Sequence, residues 1–266
     1  MVNLLSIVMA CYNKRQILIN TLSSINHFGR DYPIELIVVD DASTTDQQIN
    51  DIPFLFPDLN IKLLVIKRKN DCFRGPSIAC NTALNYAQGN VLLLNNADCL
   101  HLGNIIEYVF NNFKLNTYLT FSAYRGWSLP EGIFDNLDWD NDLDSVLRLI
   151  GHNDKDSWHF HSILSPKLKE YSFLPYSAAI SRKNMETLSG YDERFSMGIG
   201  FEDSDLCVRI LNLGLEVILV DNPFCVHQRH PPTVYNDDKN PALFQLLQQT
   251  APKRIKVTTN KTYNIP

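Results

Sequence analysis

The sequence is short of glycine and lacks the glycine-rich motifs that bind phosphate. Glycine accounts for 11 of 266 residues, and the turn after the first apolar run reads Cys-Tyr-Asn. The G-x-G-x-x-G fingerprint is missing at that turn, so the backbone cannot approach a pyrophosphate as it does in dehydrogenases, and such an enzyme is disfavoured. No G-x-x-x-x-G-K-[ST] segment occurs either, which excludes a P-loop ATPase.

Basic tracts and long apolar runs are also missing. The formal net charge is −5 and the pI is about 5.8, so no nucleic-acid partner is predicted. No apolar run reaches the roughly 18 residues that span a bilayer. The first residues carry no basic segment of a signal peptide. We expect a cytoplasmic protein without a transmembrane segment, and peripheral contact with the inner face of the membrane stays open.

Six cysteines are present, and no two of them form a C-x-x-C pair. They are scattered along the chain as Cys11, Cys72, Cys80, Cys99, Cys207 and Cys225. This spacing favours neither a disulfide scaffold nor a zinc ribbon. Reduced and mostly buried thiols are therefore expected.

The first hundred residues alternate between apolar runs and helical patterns. Four runs rich in β-branched and aliphatic residues predict buried strands, at 4–10, 34–39, 61–66 and 91–94. Helical periodicity begins near Lys14, and a second helix is expected over about 76–87. Strand and helix alternating with short connections predict an α/β protein with a mostly parallel, doubly wound sheet flanked by helices.

The fourth predicted strand ends in an abrupt polar cluster. Val91–Leu94 are apolar, and Asn95, Asn96, Ala97 and Asp98 follow them. Ligands of open α/β sheets bind beyond the carboxyl ends of the strands, where Asp98 could hold a metal or a phosphate-bound cation. The alternative is that these residues form an ordinary polar turn.

The second half of the chain is less regular. Residues 127–166 look like an insertion with helical pieces around 143–150, and short strands are predicted at 176–180 and 216–220. Asp203 begins the apolar stripe of a helix and benefits from the helix dipole, unless it only caps that helix. Asp205 has the i, i+4 spacing of a surface ion pair with Arg209.

Taken together, these segments resemble the family 2 glycosyltransferases of GT-A fold, from about Leu4 to His227. The matching pieces are Ser6–Asn13, Val38–Ser43, Phe73–Arg74 with Ala79–Asn81, Leu94–Cys99, Gly190–Phe195 and Gly198–Leu206. The last piece resembles the Glu-Asp motif on the acceptor side of galactosyl- and N-acetylgalactosaminyltransferases. The resemblance implies one GT-A domain, with a nucleotide-binding half at 1–100, an acceptor and catalytic half at 101–230 and a C-terminal tail at 231–266. The tail is polar after about Pro252, and we expect it to be mobile.

The resemblance also implies how a nucleotide sugar is held. Ala10, Tyr12 and Asp41 would contact the nucleobase and ribose, and Asp41 would accept a hydrogen bond from uracil. Arg74 would neutralise the diphosphate or contact the base, although it could equally be a solvated loop arginine. Asn96, Ala97 and Asp98 stand where the family has Asp-x-Asp.

A divalent cation, Mn²⁺ or Mg²⁺, would be bound by Asp98 and would bridge the diphosphate oxygens. His227 matches the C-terminal histidine that often completes this site, although a lone histidine is commonly a core or surface residue. Two residues depart from the family pattern. Asn96 replaces the first aspartate, which should weaken divalent binding, and Cys80 replaces an arginine.

The acceptor side would supply the general base. The resemblance implies that Asp203 takes the proton from the acceptor hydroxyl and that Glu202 hydrogen-bonds a sugar. Trp127, Trp158 and Tyr176 could stack on an acceptor sugar ring, or they could simply pack in the interior.

The function predicted from these residues is an inverting, metal-dependent hexosyltransferase. It would move a hexose or N-acetylhexosamine from a nucleotide sugar, expected to be a UDP-sugar, to a glycan or glycolipid in polysaccharide or glycoconjugate synthesis. The alternative is a non-catalytic member of the same fold that binds a nucleotide sugar or glycan, and Asn96 is its main support.

Overall fold

A single nine-stranded sheet organises the described part of the chain. The computed structural model describes residues 1–67, 75–126, 129–153, 174–198, 200–231, 239–248 and 257–260. The strands are β1 (Leu5–Cys11), β2 (Ile34–Asp40), β3 (Ile61–Val65), β4 (Val91–Asn95), β5 (Cys99–Leu102), β6 (Thr117–Arg125), β7 (Ser177–Ser181), β8 (Glu216–His227) and β9 (Val257–Asn260). Their order is β3-β2-β1-β4-β7-β6-β8-β5, and β9 also pairs with β8.

Helices cover both faces of this sheet. They are α1 (Arg15–Gly29), α2 (Ile52–Leu55), α3 (Ser77–Tyr86), α4 (Ile105–Asn112), α5 (Leu143–Asn153), α6 (Arg182–Thr187), α7 (Glu202–Asn212) and α8 (Asn240–Gln248). Short 3-10 turns span Thr45–Gln47 and Glu193–Met197. The predicted α/β fold with helices flanking the sheet is therefore confirmed.

Strands β1 to β4 form the parallel part that sequence periodicity predicts. All pairings among them are parallel, and β1 lies between β2 and β4. Their side chains alternate between two cores, as the pleat requires. Leu5, Ile7 and Met9 of β1 face the core beneath α1 and α4, whereas Val8 faces the core beneath α3 and α7. Because both faces are covered, these strands read as continuous apolar runs.

The second half of the sheet brings distant segments to the end of β4. β7 runs antiparallel to β4, and β8 runs parallel to β6 with an irregularity between Phe121 and Ala123. β8 is longer than the predicted 216–220, since it continues past this irregularity to His227. There it pairs with β5, with Cys99 opposite His227. This register places His227 next to Asp98.

The C-terminal segment also differs from expectation. Residues after Pro252 were expected to form a mobile polar tail, but Val257–Asn260 pair with Val217–Val220 of β8 as β9. Polarity is a poor guide here because valine and threonine are β-branched and favour strands at a sheet edge. The cysteines follow the prediction: the five in the described residues are free, and Cys72 lies outside them.

A buried carboxylate ties β1 and β2 to the turn before β4. Glu35 accepts hydrogen bonds at one oxygen from the Ser6 hydroxyl at 2.6 Å and from the backbone N–H groups of Gln88 and Gly89 at 2.6 and 3.1 Å. Its exposed fraction is 7%. Replacing Glu35 with alanine leaves the Ser6 hydroxyl and the Gln88 N–H without this acceptor inside the protein, whereas the Gly89 N–H keeps the Ser6 hydroxyl oxygen at 2.7 Å. We expect the free energy of unfolding to fall by about 2–4 kcal/mol, measured by urea denaturation.

The matched control for this change is Glu131→Ala, at an exposed position. That control should alter the free energy of unfolding by less than about 0.5 kcal/mol. Equal stability of Glu35→Ala and Glu131→Ala would contradict the proposed importance of the buried carboxylate.

Candidate functional site

The carboxyl ends of β1, β2 and β4 open into one cavity of about 190 Å³. The predicted site residues that line it are Ala10, Tyr12, Asp41, Asn96, Ala97, Asp98, Glu202 and Asp203. Lys14, Cys80 and Tyr191 also contribute to its walls. These predicted site residues are far apart along the chain, but they meet in one place, at the edge expected for an open α/β sheet.

Two loops on one side of the cavity are held together by side chains. The backbone N–H of Asn13 donates to the Ser43 hydroxyl at 3.0 Å, and the Asn13 side chain accepts from the backbone N–H of Thr44 at 2.8 Å. Asp40 is 1% exposed and accepts from the Ser43 N–H at 2.8 Å. These bonds fix the loop after β1 to the loop after β2, which positions Tyr12 and Asp41 on one wall.

Asp98 lies in the turn between β4 and β5 and is 5% exposed. Its Oδ2 atom lies 2.5 Å from Lys14 Nζ, 3.2 Å from His230 Nε2 and 3.5 Å from His227 Nε2. Burial has the largest single influence and favours a raised pKa for Asp98. The charge of Lys14 and hydrogen bonds with His227 and His230 together outweigh burial and hold the pKa well below its ordinary value. Asp98 is therefore ionised.

Asp98, His227 and His230 form a cluster that fits a divalent cation. One ligand atom from each residue lies within 4.8 Å of the other two. A carboxylate with two imidazoles suits a divalent transition-metal ion better than Mg²⁺, which prefers oxygen ligands. His230 Nδ1 lies 2.8 Å from the carbonyl oxygen of Pro231, which is the outer hydrogen bond that orients metal-binding histidines.

His230 and Lys14 were missed by sequence reasoning. His230 follows His227 at a spacing of three residues, and this His-x-x-His pattern could have drawn attention to it. Its placement depends on Gln228, whose side chain donates to the Ile17 carbonyl at 3.0 Å and to the Thr21 hydroxyl at 2.9 Å. Nothing in the sequence around Lys14 signals that its ammonium reaches Asp98.

Glu202 and Asp203 occupy the first turn of α7, on another wall of the cavity. Phe201 precedes them with a φ of +69°, so the chain turns sharply into the helix. Glu202 is 5% exposed, and Asp203 is half-buried. Burial, and then the negative charges of Glu202 and Asp98, raise the pKa of the Asp203 carboxyl well above its ordinary value. A carboxylate with a raised pKa is a stronger proton acceptor.

Asp205 makes the i, i+4 ion pair with Arg209 that its spacing predicts, but the pair does not lie at the open surface. It is 5% exposed, and its Oδ2 accepts from Arg209 Nε at 2.7 Å. Arg209 also donates to the carbonyl oxygens of Leu188 and Gly190, both at 2.8 Å. The carboxylate of the pair is thus buried and its guanidinium is half-buried, because the turn before residue 191 packs over this side of α7. Its contacts connect α7 to that turn.

The remaining predicted residues fall into two groups. Tyr176 is half-buried, and its ring meets that of His227 edge-on with centroids 5.7 Å apart. Arg74, Trp127 and Trp158 lie outside the described residues.

Comparison with known families identifies the chain. A model of glycosyl transferase family 2 matches residues 6–139, which is 134 of the 266 residues. The chain belongs to glycosyl transferase family 2. A second family model, described as the N-terminal domain of galactosyltransferase, matches residues 159–231, the part that contributes Glu202, Asp203 and both histidines of the cluster.

Relatives of this family 2 chain agree with the assignment. An uncharacterized glycosyltransferase of Bacillus subtilis (strain 168), YfnE, is 24% identical over 262 residues, which cover 85% of this chain and 65% of YfnE. The chain thus spans about two thirds of the length of that curated relative. Across the described residues, no helix combines the length and apolar character that a bilayer crossing requires.

Solved structures confirm the predicted GT-A fold of this family 2 chain. S. aureus TarS 1-349 in complex with UDP-GlcNAc has a TM-score of 0.63 and 15% identity, covering 94% of this chain and 68% of TarS 1-349. The mannosyltransferase PcManGT from Pyrobaculum calidifontis, in complex with GDP-Man and Mn²⁺, has a TM-score of 0.53 and 21% identity. The similarity covers 84% of this chain and 56% of the PcManGT chain.

Proposed function

We propose that this protein is an inverting, metal-dependent glycosyltransferase that moves a hexose or N-acetylhexosamine from a UDP-sugar to a glycan acceptor. The observation that carries the proposal is that Asp203 and Asp98 line the same cavity as the loops after β1 and β2, and that Asp98 is clustered with His227 and His230. A proton acceptor, a cation site and a recess for the nucleotide are the three parts that this reaction needs. The proposed division assigns residues 1–100 to the donor and 101–230 to the acceptor and catalysis.

The donor half would hold the nucleotide. Ala10, Tyr12 and Asp41 would contact the nucleobase and ribose, since they form one wall of the cavity. Asn96 and Ala97 line the same cavity beside Asp98, where the diphosphate would lie. The assignment to a nucleotide sugar is supported by the similar structures, which contain GDP-Man and UDP-GlcNAc.

Asp98, His227 and His230 would hold the divalent cation, for which Mn²⁺ is the best candidate. When bound, that cation supplies a Lewis acid that stabilises the charge developing on the departing diphosphate. His230 adds a third ligand to the two that sequence reasoning assigned, and it supplies a ligand atom where Asn96 provides no carboxylate.

Asp203 would act as the general base. Its carboxylate would accept the proton of the acceptor hydroxyl while that oxygen forms a bond to the anomeric carbon of the donor sugar. The bond between the anomeric carbon and the diphosphate breaks at the same time, and the nucleoside diphosphate leaves with the electron pair. Attack from the face opposite the leaving group inverts the anomeric configuration. Glu202 would hydrogen-bond a sugar hydroxyl, and Tyr176, Trp127 and Trp158 remain candidates for stacking on the acceptor.

A panel of UDP-, GDP- and dTDP-sugars tested by thermal shift, with and without Mn²⁺, would identify the donor. We expect UDP-sugars with Mn²⁺ to raise the melting temperature by about 5 °C or more at saturating concentration, because a ligand that binds only the folded state stabilises it. The same compounds without Mn²⁺ should give a smaller shift. A larger shift with GDP- or dTDP-sugars would contradict the choice of nucleobase.

A second candidate function is a non-catalytic member that binds a nucleotide sugar or glycan. Asn96 favours it, because one negative charge of the family motif is missing. Donor hydrolysis and transfer with added Mn²⁺ separate the two functions when the protein is compared with Asp203→Asn. Equal inactivity of both proteins, with UDP still bound, would support the binding function.

A further inference from the structure

The ammonium of Lys14 lies inside the proposed cation site. Its Nζ atom lies 2.5 Å from Asp98 Oδ2 and 3.0 Å from His230 Nε2. The side chain of Lys14 is 25% exposed and that of Asp98 is 7% exposed. Lys14 directly precedes α1, and its backbone carbonyl accepts the helical hydrogen bond of Leu18 at 2.9 Å, so the start of the side chain is firmly placed.

The atoms that face Lys14 are the atoms that a metal would use. His230 Nδ1 lies 2.8 Å from the Pro231 carbonyl, and a carbonyl only accepts, so Nδ1 is the donor there and Nε2 is the ring nitrogen whose lone pair can face a cation. That lone pair and Asp98 Oδ2 both accept from the Lys14 ammonium. An ammonium and a divalent cation cannot share these lone pairs.

We propose that Lys14 is an internal cation that occupies the Asp98 site in the metal-free protein and leaves when a divalent ion binds. This inference rests on the proposed function, because it takes Asp98, His227 and His230 as the metal ligands. Lys14 neutralises a buried carboxylate that would otherwise be costly to keep ionised. It therefore lowers the affinity for metal alone.

The release of Lys14 would link metal binding to donor binding. Lys14, Asn96 and Ala97 line the same cavity, so a displaced ammonium stays near the place proposed for the diphosphate. Phosphate oxygens are strong partners for a lysine ammonium. Metal would then bind weakly on its own, and more tightly when a nucleoside diphosphate offers Lys14 a new partner.

Lysine labelling of the unaltered protein tests the first step. The protein is treated with an amine-reactive acylating reagent, and the rate of modification at each lysine is followed by mass spectrometry. Saturating Mn²⁺ alone should raise the rate at Lys14 at least about threefold, since its hydrogen-bonded partners in a largely buried site are withdrawn. UDP added with Mn²⁺ should lower it again. The exposed Lys114 is the internal control and should not change. An unchanged rate at Lys14 under saturating Mn²⁺ would overturn the inference.

Calorimetric titration of Mn²⁺ into Lys14→Met tests the competition itself. Without the ammonium, Mn²⁺ should bind about fivefold more tightly than in the unaltered protein, which is the upper end of the range for an ion pair with one partly exposed member. Lys114→Met is the matched control and should bind as the unaltered protein does. UDP should strengthen Mn²⁺ binding less in Lys14→Met than in the control.

The two proposals can fail separately. Equal affinity of Lys14→Met and Lys114→Met for Mn²⁺ would overturn the inference about Lys14 and leave the proposed metal site intact. No Mn²⁺ binding by any of the three proteins, with or without UDP, would overturn the metal-dependent function together with the inference. Should Lys14→Met not fold, the labelling experiment decides, because it needs no variant.

Discussion

Asp203→Asn should lower the rate of glycosyl transfer by about 10²- to 10⁴-fold, the usual contribution of a general base. Asparagine has nearly the same shape as aspartate but cannot accept the proton of the acceptor hydroxyl. Binding of UDP with Mn²⁺ should change little, because Asp203 lies on α7 and is not among the proposed cation ligands Asp98, His227 and His230. Transfer is measured with a saturating UDP-sugar, and UDP binding is measured by calorimetry.

The control for this variant is Asp58→Asn, at an exposed position away from the cavity. It should transfer sugar at the rate of the unaltered protein. A rate for Asp203→Asn within about threefold of this control would show that another group accepts the proton.

The pH dependence of transfer gives a second test of the same base. Asp203 must be ionised to accept a proton, and burial with two negative neighbours raises its pKa. Activity should therefore be lost as the pH falls through this raised value, at a higher pH than an ordinary carboxylate would give. Glu202→Gln removes one of the negative charges, so its acid limb should move to lower pH. A limb that stays in place would contradict the electrostatic coupling of the two residues.

Asp98→Asn should have the second large effect, on the binding of metal and donor. It removes the carboxylate of the cluster, and we expect the affinity for Mn²⁺ to fall by at least about 100-fold. Loss of a residue that only hydrogen-bonds to a metal ligand can already cost that much, and Asp98 is a proposed ligand itself. Donor stabilisation in thermal shift should lose its dependence on Mn²⁺. The metal-free protein should remain folded, since Lys14 is partly exposed and can turn to solvent.

Asn96→Asp is the opposite change at the neighbouring position. Restoring the negative charge expected in the family motif should strengthen Mn²⁺ binding, because the cation gains an attractive partner in a partly buried site. The Mn²⁺ affinity of Asn96→Asp divided by that of Asp98→Asn measures how strongly metal binding at the proposed site depends on carboxylates. Unchanged Mn²⁺ binding in Asp98→Asn would contradict the assignment of the metal site.

Much of the site could be predicted because local sequence carries the relevant information. The apolar run before Asn95 specifies a buried strand, and parallel strands bring their carboxyl ends to one edge. Tyr12, Asp41 and Asp98 each follow such a strand, so their meeting follows from the alternation of strands and helices. Asp203 could be singled out because a carboxylate begins the apolar stripe of its helix.

Other contacts could not be predicted because they depend on pairings between distant segments. The pairing of Cys99 with His227 sets the position of the whole segment from β8 to His230, and no periodicity encodes that register. Asp205 was expected at the surface because its spacing to Arg209 is typical of exposed helices. The turn that covers this pair comes from another part of the chain.

The amino-acid order alone thus specified a parallel α/β sheet, the strand ends that form its binding edge and the carboxylates placed there. The period of the hydrophobic pattern and the residue types are local properties, and they are enough to identify buried strands and amphipathic helices. The folded arrangement added His230 and Lys14 to Asp98. Their meeting depends on strand register and on side chains from α1 and β8, which are separated by about two hundred residues of chain.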